Sequence, residues 1–231
     1  MRYAISDIHG CRKTFKALLK LINFTKDDTL YILGDVIDRG SDVSGLVDDI
    51  IFMQRHGYTI RCLMGNHEEF LFESAKSAHV EKMWLQSGGA ATLESYNGMS
   101  MEVSWVDMIP SCHWEFYNKM EKIIELDDYI LVHAGLDFNT TNPVADTSTD
   151  DMLWSRPKAR EYYGKLVHGK YVIIGHTIHA KCEIEEGIIN NRYTSIDNGC
   201  VFTNMAPDFG NLCCLNLDTR ELVFQKNIEG E

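Results

Sequence analysis

The sequence predicts an α/β fold in which two packed β-sheets are flanked by helices. Short apolar runs alternate with stretches of helical spacing through the first third of the chain, and strand-like runs dominate after residue 120. Each of the first three apolar runs ends in a cluster of Gly, Asp, His or Asn. With 231 residues, 45% of them hydrophobic, and no repeat, low-complexity segment or Pro/Gly-rich linker, one domain over 1–231 is expected.

The elements follow in order. Residues 2–6 read as a strand leading into Asp7-Ile8-His9-Gly10. Phe15, Leu18, Leu19 and Ile22 then recur at the spacing of one helix face. A second strand, 29–33, ends at Gly34-Asp35. Behind Ser41, the expected N-cap, Val43, Leu46, Val47, Ile50 and Ile51 repeat the helical spacing, and Gly57 closes the helix. The third strand, 58–63, runs into Gly65-Asn66-His67-Glu68. Residues 68–120 are mostly helical in pattern and rich in large side chains, among them Trp84, Tyr96, Trp105, Trp114 and Tyr117. Six further strands are expected at 122–126, 129–133, 171–175, 193–196, 212–217 and 221–225.

Composition narrows the function classes. A formal charge of -12 argues against nucleic acid as a partner, because phosphate-backbone binding needs a basic face. A phosphorylated substrate remains compatible, since bound cations reverse the local sign. No run approaches a membrane span, and no targeting signal is expected at the start. The seven cysteines are scattered, with Cys213 and Cys214 adjacent and no Cys-x-x-Cys pair. They fit apolar core positions in a reducing cytoplasm better than disulfides or a thiolate zinc site.

The chemistry gathers at strand ends, where α/β proteins place their sites. Asp7 and His9 are two apart and fall on one face of an extended chain. Asp35 follows Gly34, and Asn66-His67 follows Gly65, so the backbone can turn sharply beside them. Two later strands end at His133-Ala134-Gly135 and Gly175-His176-Thr177. Carboxylate oxygen with neutral imidazole is the ligand mix of Zn, Mn and Fe. A lone Asp-x-His or Gly-His-Thr occurs by chance. The run Gly34-Asp35-Val36-Ile37-Asp38-Arg39-Gly40 is far more specific, since packing does not require Asp-Arg-Gly there.

In this order the clusters resemble those of the phosphoprotein phosphatase family of dinuclear metallophosphoesterases, whose members include serine/threonine phosphatases and compact bacterial and phage relatives. The likeness runs from residue 4 to at least 199. It implies the calcineurin-like metallophosphoesterase fold, with two packed mixed β-sheets in an α-β-β-α sandwich. It also implies two divalent cations, Mn foremost and Fe or Zn as alternatives. One would be held by Asp7, His9 and Asp35, the other by Asp35 as bridge, Asn66, His133 and His176. Catalytic roles would fall to His67 as general acid, Asp38 as its partner, and Arg39 and Arg156 as phosphate clamps. A hydroxide bridging the cations would attack directly, without a covalent phosphoenzyme.

Two details refine the likeness. The second His of the Gly-His-x-His found in many broader metallophosphoesterases is absent, since Ile178 stands two after His176. The related symmetrical diadenosine tetraphosphatases tend to carry Ala where this chain has Asp38. Phosphoserine or phosphothreonine on protein is therefore the first expectation for substrate, and a nucleotide or dinucleoside polyphosphate the alternative. An inactive metal-binding scaffold is a remote third, because His67, Asp38, Arg39 and Arg156 are all retained. His56, His79, His113 and His168 are expected in surface or capping roles. The tryptophans of 68–120 suit a helical core better than a base-stacking face. Asp197-Asn198-Gly199 is expected to turn near the site.

Overall fold

The computed structural model describes residues 1–96, 104–156 and 164–230. In chain order its strands are β1 (Arg2–Ile5), β2 (Thr29–Ile32), β3 (Thr59–Cys62), β4 (Ile123–Glu125), β5 (Tyr129–Val132), β6 (Tyr171–Ile174), β7 (Tyr193–Ser195), β8 (Asn211–Asn216) and β9 (Leu222–Lys226). Every strand expected from the sequence is present, with ends within one residue. One mixed sheet has the order β3-β2-β1-β8-β9, the other β4-β5-β6-β7. In the first, β1, β2 and β3 are parallel with Ile5, Ile32 and Cys62 level. That register brings the three polar clusters to the same sheet end. In the second, β5, β6 and β7 are parallel, so His133 and His176 also emerge together.

Period-two alternation divides the side chains between layers. Ile5 and Ile32 face outward, against Phe15 and Leu18 of α1 (Arg12–Leu21) and Leu46 and Ile50 of α2 (Val43–Arg55). Ala4, Tyr31 and Leu33 face inward and pack with Leu131, Ile173 and Leu215 between the sheets. The outer face of the second sheet buries Ile130, Val132, Val172 and Ile174 against Leu136, Phe138 and Met152. These layers form the expected α-β-β-α sandwich. The N-cap of α2 is Asp42 rather than Ser41: its carboxylate accepts from the Gly45 amide at 3.0 Å. An acid one residue later competes for the same amides, which spacing alone does not reveal.

The helical stretch comprises α3 (Asn66–Ser74), α4 (Ala78–Trp84), a π-turn (Leu85–Gly89), α5 (Ala90–Ser95), α6 (Trp105–Met108) and α7 (Ser111–Asn118). Trp84 is fully buried, with Trp105 and Trp114 following it ring to ring at 5.1 and 6.4 Å. The tryptophans of this stretch are thus core, as expected. His113 departs from the surface role expected for it. It is buried, with Nδ1 2.7 Å from the Tyr96 hydroxyl and Nε2 3.0 Å from Asp48. Two partners distant in sequence satisfy both ring nitrogens, so burial costs no unpaired polar atom.

Three later helices, α8 (Pro143–Asp146), α9 (Thr149–Trp154) and α10 (Lys181–Asn190), and a 3-10 turn (Gly164–Val167) connect the second half. Ser148 caps α9 by accepting from Asp151 N, with Asp150 and Asp151 in its first turn as befits the helix dipole. No helix among the described residues is long and apolar enough to cross a membrane.

Candidate active site

The loops leaving β1, β2 and β6 turn in the left-handed region. Asp7, His9, Asp35, Asp38, Arg39 and His176 all have positive φ, between 47° and 69°. For non-glycine residues that conformation is uncommon and persists where surrounding contacts enforce it. Gly65 permits the close approach: a β-carbon there would collide with the Asp35 carboxylate.

Two overlapping donor groups result. His9, Asp35 and His67 each offer a ligand atom with all three within 4.8 Å of one another, and so do Asp35, His133 and His176. Asp35 belongs to both, as a bridging carboxylate must. Asn66 joins the second group, its Oδ1 lying 3.0 Å from His133 Nε2 and 2.9 Å from His176 Nδ1. Asp7 is beside these groups rather than within either. It lines the same cleft and accepts from the His176 amide at 3.1 Å. His67 stands beside His9 and Asp35, with its Nδ1 2.6 Å from Asp38.

The donor chemistry fits divalent cations. His9 Nδ1 donates to Ile37 O and His133 Nδ1 to Leu33 O, both at 2.7 Å, which leaves each Nε2 lone pair for a ligand. Burial lowers the pKa of both rings, and burial with His133 brings His176 down to about 3, so all three are neutral. Asp35 resists the opposing effect of burial because His133, His67 and His9 surround it, and stays ionised. Asp7 is pushed well up by burial, Asp197 and Asp35. Asp197 itself rises to about 7, chiefly through burial. Several acids this deeply buried repel one another, and bound cations would relieve the repulsion.

Around the donors lies a cleft of about 440 Å³ that also exposes Arg39, His67, Phe70, Trp154, Arg156, Thr177 and Phe202. Every residue expected at the site from the sequence therefore lies at or beside this cleft. Arg39 Nη1 donates to His9 Nε2 at 2.6 Å, and Arg156 sits on the exposed rim. For His67, burial disfavours the imidazolium, but Asp35 and the hydrogen-bonded Asp38 outweigh it and raise the pKa.

Sequence reasoning missed three supporting residues. Glu68, fully buried, accepts from the amides of Asp35, Val36, Ile37 and Gly65 at 2.8–3.2 Å. It ties the second and third loops together. Its position three after Gly65, as the acid of a capping box, was the available signal. Trp84 Nε1 and Thr92 Oγ1 donate to Asp38 at 2.9 and 2.6 Å, and the Asp38 amide donates back to Thr92. No local pattern announces those two.

This fold and donor set define a metallophosphoesterase, a hydrolase built around a two-metal centre. The chain belongs to the calcineurin-like phosphoesterase family, whose model matches residues 3–182. Among relatives, a symmetrical bis(5'-nucleosyl)-tetraphosphatase of Wigglesworthia glossinidia brevipalpis is 31% identical over 138 residues, 58% of this chain and 44% of the relative. The asymmetrical bis(5'-nucleosyl)-tetraphosphatase PrpE of Bacillus velezensis is 25% identical over 227 residues, 89% of this chain and 86% of the relative. The match thus spans less than half the length of the symmetrical enzyme but most of the asymmetrical one. In fold, the chain is similar to a protein provisionally named a diadenosine tetraphosphatase (TM-score 0.68, 19% identity, 96% and 91% of the two chains). It is also similar to a serine/threonine phosphatase from Saccharomyces cerevisiae (TM-score 0.64, 14% identity, 98% and 80%).

Proposed function

We propose that this metallophosphoesterase hydrolyses dinucleoside polyphosphates, the alternative rather than the first expectation from the sequence. The observation that carries the reading is the likeness to a bis(5'-nucleosyl)-tetraphosphatase along 89% of the chain. Asp7, His9 and Asp35 would hold one divalent cation and Asp35, Asn66, His133 and His176 the other, with Mn foremost and Fe or Zn also suited. When bound, the cations supply electrophilic charge and a source of hydroxide at neutral pH.

The chain's own groups do the rest. Arg39 and Arg156 grip phosphoryl oxygens through planar guanidinium forks. Arg39 must first leave His9 Nε2, because a guanidinium and a cation cannot share that lone pair. His67, oriented through Nδ1 by Asp38, keeps Nε2 for donation to the departing oxygen. No Ser or Cys nucleophile takes part.

A second reading, phosphoserine or phosphothreonine hydrolysis, is favoured by that same acid pair. An alkoxide leaving group needs a proton more than a departing phosphate does, and the His67–Asp38 bond at 2.6 Å is built to give one. Metal-stripped protein given Mn, Zn, Mg or nothing, then assayed on diadenosine tetraphosphate, a phosphopeptide and p-nitrophenyl phosphate, separates the readings. Metal-dependent preference for the dinucleotide supports the proposal. Preference for the phosphopeptide transfers it to the second reading.

A further inference from the structure

The four tryptophans divide sharply. Trp84, Trp105 and Trp114 belong to the helical core, whereas Trp154 leaves 42% of its surface exposed at the rim of the catalytic cleft. An indole that only filled space would be expected to bury more of its area. Trp154 is nevertheless fixed. Its Nε1–H donates to Glu69 Oε2 at 2.6 Å, and Phe70 meets it edge to face at 5.7 Å and 80°.

Both fixing residues are tied to the chemistry. Glu69 and Phe70 follow His67 by two and three residues on α3, a rise of only about 3–5 Å along the helix axis. Trp154 ends α9 and precedes Arg156 by two. One flat ring is thus held in a single orientation at the rim of the cleft that His67 and Arg156 also line. Such a ring matches a planar partner joined to phosphate by a short spacer.

We infer that Trp154, oriented by Glu69 and Phe70, is a stacking platform for a nucleobase of the substrate. This rests on the dinucleotide reading and specifies where its base binds. Stacking recognises the π-face of a base, so the platform selects nucleotides over simple phosphoesters without choosing strongly among bases. The Glu69 carboxylate beside the ring also favours a base bearing an exocyclic amine, which can donate to it.

The test uses the full chain with Mn and the variants Trp154→Ala and Trp154→Phe. The quantity read is the ratio of kcat/KM for diadenosine tetraphosphate to that for glycerol phosphate, which has no ring to stack. Trp154→Ala should lower the ratio by about ten-fold or more, mainly through KM, and Trp154→Phe should restore most of it. An unchanged ratio in Trp154→Ala overturns the platform. Should the parent cleave glycerol phosphate but no dinucleotide, the reaction assigned above fails by itself. Titration with adenosine 5'-monophosphate then decides the platform alone. Quenching of tryptophan fluorescence in the parent but not in Trp154→Phe upholds it, and equal traces overturn it.

Discussion

Asp38 is where three distant stretches of chain converge on one carboxylate. It is fully buried and accepts from His67, Trp84 and Thr92, so the imidazole proposed as general acid is aimed by the helical stretch as well as by the strand ends. His67→Asn should cut turnover roughly a hundred-fold or more with cation content unchanged, the range general acids supply. Thr92→Val keeps the shape and removes one donor. It should lower kcat by about ten-fold with little change in KM, more for alkyl than for nitrophenyl phosphates. An equal loss on both would show that the hydroxyl does not act through the acid. Asp35→Asn should instead lose cations, since Asp35 alone belongs to both donor groups. Metal analysis showing full occupancy in that variant would refute its bridging role.

At the scale of elements, Glu68 makes the first turn of α3 a junction between loops. Replacing its carboxylate in Glu68→Gln leaves an NH2 facing buried amides that formerly donated to oxygen. A loss of about 1–3 kcal/mol is expected, read from the denaturant midpoint. The same element shows what the sequence could and could not reveal. Strands were legible because apolar runs of four to six residues end in Gly and acids, and α1 and α2 because their apolar faces recur at helical spacing. Asp7, His9, Asp35, Asn66, His133 and His176 were legible because each sits at a strand end. Glu68 was half-visible as a capping acid. Thr92 lies 54 residues from Asp38, and His113 lies 65 from Asp48, so nothing local marks either contact.

Across the whole molecule, the two sheets are joined at opposite ends by different means. Away from the cleft, Arg2 of β1 grips Asp128 between β4 and β5 with both Nη atoms at 2.9 Å, and Asp218 beyond β8 with Nε at 2.7 Å. The bond to Arg2 holds Asp128 below the ordinary value of 3.8, and for Asp218 the Arg2 bonds outweigh the opposing burial. Carboxylates depressed in this way contribute stability that is complete above about pH 4 and lost as pH falls through their folded values. Both are substantially exposed, so the effect is modest. Arg2→Met should flatten the acid limb of a thermal-stability profile and leave it nearly unchanged near neutrality. At the cleft end, the joint is the donor cluster itself, with Asp7, His9 and Asp35 from one sheet facing His133 and His176 from the other. Cations held there would act as rivets between two halves of the sandwich. Amide hydrogen exchange should therefore slow in β1 and β6 together when Mn is added, and chelation should let the two sheets open as separate units.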